Sequence, residues 1–527
     1  MEQIKIKDLN FSYSLASDNC LKDINLTVNR GEYIVICGKS GCGKTTLLRQ
    51  LKPAIAPKGK REGAILFRGE SIDDLPLRVS TEKIGFVMQD PENQAVTDKV
   101  WHELAFGLEN LGLGTAEIRL RISEMTACFG IDGLLDKNVN DLSGGQLQLL
   151  NLAAVMAMHP EVLILDEPTS QLDPVSAQSF FDILNRINKD MGITVILTEH
   201  RLENVFAEAD KIIVMDEGRI IAAEAPCDLG EKRDILPELV RLSLPAAMRI
   251  FFAVEPKGKA PVSVRQGRRW LETKETLPEL PDNGAAICDT AAVRLKNISF
   301  RYNKNDKDVI SNLTASIPTG SIYSLLGSNG AGKTTLAKII AGIEKPYSGK
   351  IKLNGKVVLM PQNVHALLTE KTGREELYSV CGKDEAVKRI SELTQTAQLL
   401  DKNPWDISGG EQQRLAIAKA LLCPGDIYIF DEPTKGMDME FKTVFADILS
   451  ELKARGKTVI IISHDIEFCA RYSDLCALVF DGDISAGGTA REFFSRNHFY
   501  TTAANRISRG FIRNAVTCED VIKCLKK

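Results

Sequence analysis

Two octapeptides in this chain have the residue types and spacing to hold phosphate groups. Gly38-Lys39-Ser40-Gly41-Cys42-Gly43-Lys44-Thr45 follows the apolar run Tyr33 to Cys37, and Gly327-Ser328-Asn329-Gly330-Ala331-Gly332-Lys333-Thr334 follows Ile322 to Leu326. A Gly-x-x-x-x-Gly-Lys-Thr loop between a strand and a helix turns its backbone N–H groups around phosphates, and the helix N-terminus adds a field that favours negative charge. Lys44 and Lys333 are expected to reach the β- and γ-phosphates, and the Thr45 and Thr334 hydroxyls to ligate Mg²⁺. Thr46 and Thr335, next in line, join the candidate binding set. Two such loops, each in strand–loop–helix context, leave little room for a chance glycine-rich turn.

Asp166-Glu167 and Asp431-Glu432 each end an apolar run, which places them at the edge of an open α/β sheet where ligands bind. Asp166 and Asp431 are expected to hold Mg²⁺ through water, and Glu167 and Glu432 to orient or deprotonate an attacking water. Either pair alone could be a solvated acidic turn. Tyr13 and Tyr302 each stand 25 residues before their glycine-rich loops. Each could stack on a nucleobase or be a buried strand tyrosine; the shared offset favours stacking. His200 and His464 follow the last apolar runs and could donate to the γ-phosphate, although an isolated histidine there is more often structural. Cys42 reads as a small space-filler; a thiol at a helix N-terminus can also be reactive.

The elements that position these groups occur twice. The glycine-rich loops and the tyrosines repeat at an offset of 289 residues. Leu142-Ser143-Gly144-Gly145-Gln146 and Ile407-Ser408-Gly409-Gly410-Glu411 repeat at 265, as do the Asp-Glu pairs, and the histidines at 264. The second copy is therefore shorter between its loop and its Ser-Gly-Gly motif. Val162 to Leu165, Ile193 to Leu197, Ile427 to Phe430 and Thr458 to Ile462 are apolar at every position, as strands buried on both faces are. Ile118, Ile122, Met125 and Phe129 have helical spacing, and Leu229, Ile235, Leu239, Leu242 and Leu244 suggest another helical stretch. Each half is expected to be α/β, a mostly parallel sheet with flanking helices and a helical insertion before the Ser-Gly-Gly motif.

Composition bounds the class. A chain of 527 residues exceeds one hydrophobic core, so at least two domains are expected. We divide it into 1–250, a linker 251–290, a second domain 291–500 and a helical tail 501–527. The linker's four prolines and its Asn283-Gly284 pair suggest an extended connector of zero net charge. With 66 basic and 70 acidic residues there is no global basic field, and no nucleic-acid partner is expected. No apolar run is long enough to cross a membrane, and the start lacks a signal-peptide core. Twelve cysteines without a Cys-x-x-Cys pair read as reduced thiols in a cytoplasm.

The ordered set resembles the ATP-binding-cassette (ABC) ATPases, twice over, and covers nearly all the chain except linker and tail. The resemblance implies two tandem P-loop NTPase cassettes that pair head to tail, each ATP sandwiched between one glycine-rich loop and the other cassette's Ser-Gly-Gly signature. One site would then use Tyr13, Gly38 to Thr45, Gln89, Asp166, Glu167 and His200, completed by Ser408, Gly409, Gly410 and Glu411. The other would use Tyr302, Gly327 to Thr334, Gln362, Asp431, Glu432 and His464, completed by Ser143, Gly144, Gly145 and Gln146. Gln89 and Gln362 are implied as Mg²⁺ ligands and catalytic residues. The family's D-loops match Ser170 to Asp173 and Lys435 to Asp438.

A narrower likeness surrounds Gln89. Phe86-Val87-Met88-Gln89-Asp90-Pro91-Glu92-Asn93-Gln94, with Glu103 to Gly107 and Glu109 to Leu113, is similar to the ATPases of energy-coupling factor (ECF) importers. Thr198 to Glu203 and Tyr500 to Arg506 look like that group's fused, two-cassette branch. The likeness implies ATP hydrolysis at the cytoplasmic face of a membrane, driving uptake of a vitamin, vitamin precursor or metal ion. The implied partners are an integral-membrane coupling subunit and a small substrate-binding membrane subunit. The ATPase of a conventional importer or exporter, or a tandem cassette acting on ribosomes, are the alternatives. The second half departs from the pattern: Met360 to His365 lacks the Asp-Pro-x-Asn-Gln run, Glu411 replaces a glutamine, and Met439 stands where Pro174 does. In the first half Leu149 stands where Arg414 does in the second. No departure removes a phosphate ligand or a glutamate, so two hydrolysis-competent sites are expected, with rates free to differ.

Overall fold

A computed structural model describes all residues except 15–17, 171, 200–201, 256–257, 275–279, 281–289 and 527. The expectations placed on His200, Gln171 and the Asn283-Gly284 pair lie outside the described residues. The chain divides into two compact units, Met1–Gly267 and Arg268–Lys527.

The described residues of the first unit form ten strands: β1 Glu2–Tyr13, β2 Leu21–Asn29, β3 Tyr33–Gly38, β4 Gly59–Phe67, β5 Glu70–Ser71, β6 Ile84–Val87, β7 Val162–Asp166, β8 Thr194–Thr198, β9 Lys211–Asp216 and β10 Arg219–Glu224. They form an antiparallel sheet β2-β1-β4-β5 and a six-stranded sheet β10-β9-β3-β8-β7-β6, parallel except for β10. Strand β1 buries Ile4, Ile6, Leu9 and Phe11 and turns polar neighbours outward, the pattern of a sheet with one solvated face. Strands β7 and β8 are buried at every residue, as their apolar runs require. The two sheets share one core, in which Phe11, Leu26 and Phe67 meet Ile34, Ile164 and Ile196 with Leu47 and Leu48 of the helix Lys44–Gln50 among them.

The second unit repeats the plan, with nine strands among its described residues: β11 Ala291–Phe300, β12 Ile310–Pro318, β13 Ile322–Leu326, β14 Ser348–Leu353, β15 Val357–Met360, β16 Ile427–Asp431, β17 Thr458–Ile462, β18 Leu475–Phe480 and β19 Asp483–Thr489. The antiparallel sheet is β12-β11-β14, and the main sheet is β15-β16-β17-β13-β18-β19. In each main sheet the strand before the glycine-rich loop lies between the strand that ends in Asp-Glu's neighbour and the strand that runs on to the edge hairpin. That strand's C-terminal end faces a switch in strand order, where open α/β sheets bind ligands.

Between β6 and β7 the first unit inserts the helices Val100–Asn110, Thr115–Phe129 and Gly144–Ala157. The second unit's shorter insertion holds Gly373–Tyr378, Asp384–Leu393 and Gly409–Leu422 around a core of Leu377, Ile390, Leu399 and Leu415. The stretch around 225–250 is helical, as Leu229–Ile235, Glu238–Ser243 and Ala246–Val254.

The extended-connector reading of 251–290 needs correction where the chain is described. The helix Ala246–Val254 runs into it, and Val264–Leu271 forms another helix. An eight-residue helix with one buried stripe is too short to show periodicity between prolines. The tail forms two helices, Ala503–Ser508 and Cys518–Leu525. It is pinned to the second unit: the Ala503 N–H donates to Glu467 at 2.9 Å, and Val516 packs with Leu326, Cys469 and Phe494.

Candidate nucleotide-binding and hydrolysis sites

Each unit gathers its glycine-rich loop, its Asp-Glu pair and its early tyrosine at one end of the main sheet. Gly38 and Gly327 leave the sheet with no room for a side chain. A Cβ would lie 2.3 Å from the Met215 carbonyl oxygen in one unit and 2.3 Å from that of Val479 in the other. Gly43 and Gly332 cap the following helices at φ 101° and 100°, a left-handed conformation in which glycine carries no Cβ penalty. Both loops therefore require glycine at their first and sixth positions.

The lysines are held over these loops. Lys44 Nζ donates to the Gly38 and Lys39 carbonyls at 2.9 Å each, and Lys333 Nζ to those of Gly327 and Ser328 at the same distances. Both ammonium groups are buried against the loop, where a polyphosphate could replace neutral carbonyls with charged acceptors. Cys42 is buried, and burial pushes its thiol up, with Lys44 opposing. Packing, not thiolate chemistry, describes it.

Thr45 Oγ1 donates to Asp166 at 3.1 Å, and Thr334 Oγ1 to Asp431 at 2.7 Å. Hydroxyl and carboxylate thus sit together in both units. Burial raises the proton affinity of both carboxyls; hydrogen bonds from Thr198 and Thr45 moderate it at Asp166, and one from Thr334 at Asp431. Asp431 Oδ1 is buried and finds no hydrogen-bond partner among the described residues. A hard cation would satisfy that oxygen. Mg²⁺ prefers all-oxygen shells and is held by one or two protein groups plus phosphates and water, which suits a threonine, an aspartate and a glutamine. No cluster of three or more His, Cys, Asp or Glu side chains among the described residues could hold a metal without the nucleotide.

Glu167 and Glu432 take φ of 45° and 52°, left-handed values that strain a non-glycine residue. The strain re-aims each carboxylate as its strand ends. Gln89 Nε2 donates to Glu167 at 2.8 Å, which joins the glutamine loop to the glutamate. In the second unit Glu432 receives the His464 backbone N–H at 3.3 Å and faces His464 Nε2 at 3.2 Å. Gln362 lies exposed in the loop leaving β15.

Tyr13 and Tyr302 are 40% and 51% exposed, which removes the buried-strand reading. Each phenol is tied to the phosphate-loop helix, Tyr13 to Thr46 at 2.8 Å and Tyr302 to Thr335 at 3.1 Å. Their rings stand nearly edge-on to Phe11 and Phe300, so one ring position is fixed while a face stays open.

The Ser-Gly-Gly motifs stand at helix N-termini in both units. Ser143 accepts from the Gln146 N–H while Gln146 accepts from the Ser143 N–H, and Ser408 and Glu411 make the same reciprocal box. Glutamate at 411 thus does the capping work of glutamine. The serines and the first glycines remain exposed, with the N–H groups of the first turn beside them. Asp173 and Asp438 cap the helices Pro174–Met191 and Met439–Ala454. Arg414 reaches Asp438 at 3.4 Å; in the first unit, where Leu149 stands instead, Ser176 Oγ bonds Asp173 at 2.8 Å.

In the sequence Thr198 has no role beyond opening the run Thr198 to Glu203. It ends β8 beside Asp166, donates to Asp166 Oδ1 at 2.8 Å and accepts the Glu167 N–H at 2.9 Å. A threonine in an apolar strand reads as a β-former, and only its register beside Asp166 distinguishes it. Ile462 holds the matching register beside Asp431, and there the Glu432 N–H bonds the Ile462 carbonyl at 2.8 Å.

The profile of the family described as ABC transporter matches residues 21–170 and 310–435, more than half of the chain. An ABC transporter ATP-binding protein of Bacillus cereus is 39% identical over 98% of this chain and 97% of its own length. One from Methanosarcina mazei is 33% identical over 93% of this chain and 90% of its own. In fold, the chain is similar to the archaeal ribosome recycling factor aABCE1, solved in complex with the ribosomal stalk protein aP1, at a TM-score of 0.62 and 22% identity over 93% of this chain and 91% of that one. With both domain matches and full-length relatives in agreement with the site geometry, the chain belongs to the ABC transporter family, as an ATPase with two tandem ATP-binding cassettes.

Proposed function

We propose that this ATPase is the energy-coupling subunit of an ECF-type importer for a micronutrient: a vitamin, a vitamin precursor or a metal ion. The observation that carries the reading is the surface built from the run after Gln89. Gln94 folds back to accept the Met88 N–H at 2.7 Å, and Asn93 bonds Asp90 at 2.9 Å, so Gln89 leaves a pre-formed turn. Further along the chain Val96, Trp101 and Phe106 are 63%, 42% and 46% exposed. An exposed apolar surface of that kind suits an integral-membrane coupling subunit docking next to the residue that reaches Glu167. In the second unit Trp405, 61% exposed and stacked on His365, offers a different surface. None of the described helices is long and apolar enough to cross a membrane, so anchoring falls to partners in this reading.

Hydrolysis follows from the side chains. The loop N–H groups with Lys44 or Lys333 draw negative charge off the phosphates, and Tyr13 or Tyr302 offers a face to the base. Thr45, Asp166 and Gln89, and Thr334, Asp431 and Gln362, would hold Mg²⁺, which when bound neutralises phosphate charge. Glu167 and Glu432, aimed by their strained turns, orient the attacking water and accept its proton. His464, and His200 in its copy, donate toward the γ-phosphate. We place the Ser408 to Glu411 signature over the Lys44 site and the Ser143 to Gln146 signature over the Lys333 site, in one chain or between two. Closure on ATP and reopening after hydrolysis would drive the membrane partner.

The test is affinity isolation of the tagged chain from detergent-solubilised native membranes, with mass spectrometry of co-purifying proteins. A multi-span coupling subunit with a small integral binding protein supports the reading, and the ligand retained by that protein names the cargo. A conventional permease keeps transport and discards the ECF assignment. Ribosomal proteins, with the chain absent from membranes, discard transport.

A further inference from the structure

We propose that Thr198 is a positioning residue that makes the first ATP site the faster hydrolyser of the two. The proposal rests on the roles given above to Asp166 and Glu167, and adds a reason for inequality that those roles lack.

Thr198 is fully buried at the end of β8, paired in register with Asp166. Its single hydroxyl makes two bonds of opposite sense. It donates to Asp166 Oδ1 at 2.8 Å and accepts the Glu167 N–H at 2.9 Å. Asp166 Oδ1 also accepts from Thr45 at 3.1 Å. One oxygen therefore joins the carboxylate assigned to Mg²⁺ with the backbone of the glutamate assigned to water, and Thr45 extends the chain to the phosphate-loop helix. Bonds in such a chain polarise one another, and each fixes the next group's orientation. Glu167 is also the residue held at φ 45°, a strained conformation that needs surrounding contacts to persist.

The second unit has the same strands, register and strain without this tether. Ile462 pairs with Asp431 where Thr198 pairs with Asp166, and an isoleucine side chain cannot donate or accept. The Glu432 N–H turns to the Ile462 carbonyl at 2.8 Å, Thr334 holds only Asp431 Oδ2, and Oδ1 stays without a hydrogen-bond partner among the described residues. The aspartate and the glutamate backbone are thus linked by a side chain in one unit and not in the other. Loss of the partner that orients an active-site ligand typically costs roughly 10–100-fold in activity.

The experiment uses the full chain and three variants, Thr198→Val, Thr198→Ser and Ile462→Thr. Phosphate release gives kcat and KM, a fluorescent ATP analogue without Mg²⁺ gives nucleotide affinity, and thermal unfolding reports the fold. Thr198→Val is expected to lower kcat about tenfold or more, with nucleotide affinity close to the parent and a melting temperature only a few degrees lower, as the loss of one buried hydroxyl entails. Thr198→Ser, which keeps the hydroxyl, is expected to restore most of the turnover. Ile462→Thr is expected to raise kcat. A smaller fall in Thr198→Val overturns the proposal. So does a fall in kcat matched by lost nucleotide affinity and lowered melting temperature that serine does not repair, since that is the signature of a structural residue. If Glu167→Gln itself turns over normally, the underlying role fails, an outcome separate from failure of the tether.

Discussion

The Gln89 side-chain amide donates to the Glu167 carboxylate at 2.8 Å, whereas Glu432 is met by His464, through its backbone N–H at 3.3 Å and its ring at 3.2 Å. Each carboxylate is thus met by a residue that follows a neighbouring strand, Gln89 after β6 and His464 after β17. Both glutamates also sit in strained left-handed turns. An amide at either position keeps size and polarity but cannot accept a proton. The double variant Glu167→Gln, Glu432→Gln is expected to bind ATP at near-parental affinity and to lose turnover by about 10²-fold or more, the usual worth of a general base. Undiminished phosphate release from that protein would falsify the assignment.

The signature serines test the pairing of the cassettes. Ser408 caps its helix and exposes the first-turn N–H groups. Ser408→Arg removes the cap, at about 1 kcal/mol, and fills the space before those groups. In the head-to-tail arrangement the damage appears at the site of Lys44, not at that of Lys333. Trapping a photoreactive ATP analogue and mapping the labelled peptides separates the two. Hydrolysis lost only at the Lys333 site means that each signature serves its own cassette.

Much of this molecule is legible in its sequence for one reason: the strands that carry the site are buried on both faces. Val162 to Leu165 and Ile427 to Phe430 need apolar residues throughout, so their runs announce both the strand and the carboxylates at its end. The glycine-rich loops are equally plain, since no side chain fits at Gly38 or Gly327. The helix Val264–Leu271 is less visible because three exposed arginines among its eight residues leave too few apolar positions to show a period. Thr198 is hidden for a different reason. Its meaning depends on the register of β8 against β7, a non-local fact that a row of residues does not state.

The two tyrosines predict nucleotide affinity. Tyr13 and Tyr302 are each tied by the phenol to a threonine on the phosphate-loop helix, with the ring partly exposed. Replacement by alanine is expected to weaken ATP binding by about 1–3 kcal/mol per site, the range for base–aromatic stacking. Phenylalanine keeps the ring and loses one hydrogen bond, so it is expected to cost about 1 kcal/mol or less. Titration with a fluorescent ATP analogue checks both. Equal losses for alanine and phenylalanine would assign the tyrosines to the hydrogen bond, not to stacking.

Asp166 and Asp431 predict a trade between stability and activity. Burial raises both carboxyls above the usual value of about 3.9, so the folded protein binds protons more readily there than the unfolded chain. Stability from this source is therefore present at low pH and falls as pH rises from the unfolded value through the raised folded one. At neutral pH the burial of charge is a standing cost. Asp431→Asn removes the charge from a carboxylate with one oxygen unpartnered among the described residues, and is expected to raise the melting temperature of the nucleotide-free protein at pH 7 by about 2 °C or more while lowering turnover. The gain is expected to vanish in excess Mg²⁺ and ATP, because the native carboxylate then has a cation to offset its burial. The same logic makes protons compete with Mg²⁺, so the Mg²⁺ concentration for half-maximal turnover is expected to rise as pH falls toward the raised carboxylate range. An Asp431→Asn protein that melts lower than the parent without ligand would mean that the carboxylate is already satisfied within the fold, and that its role is structural before it is catalytic.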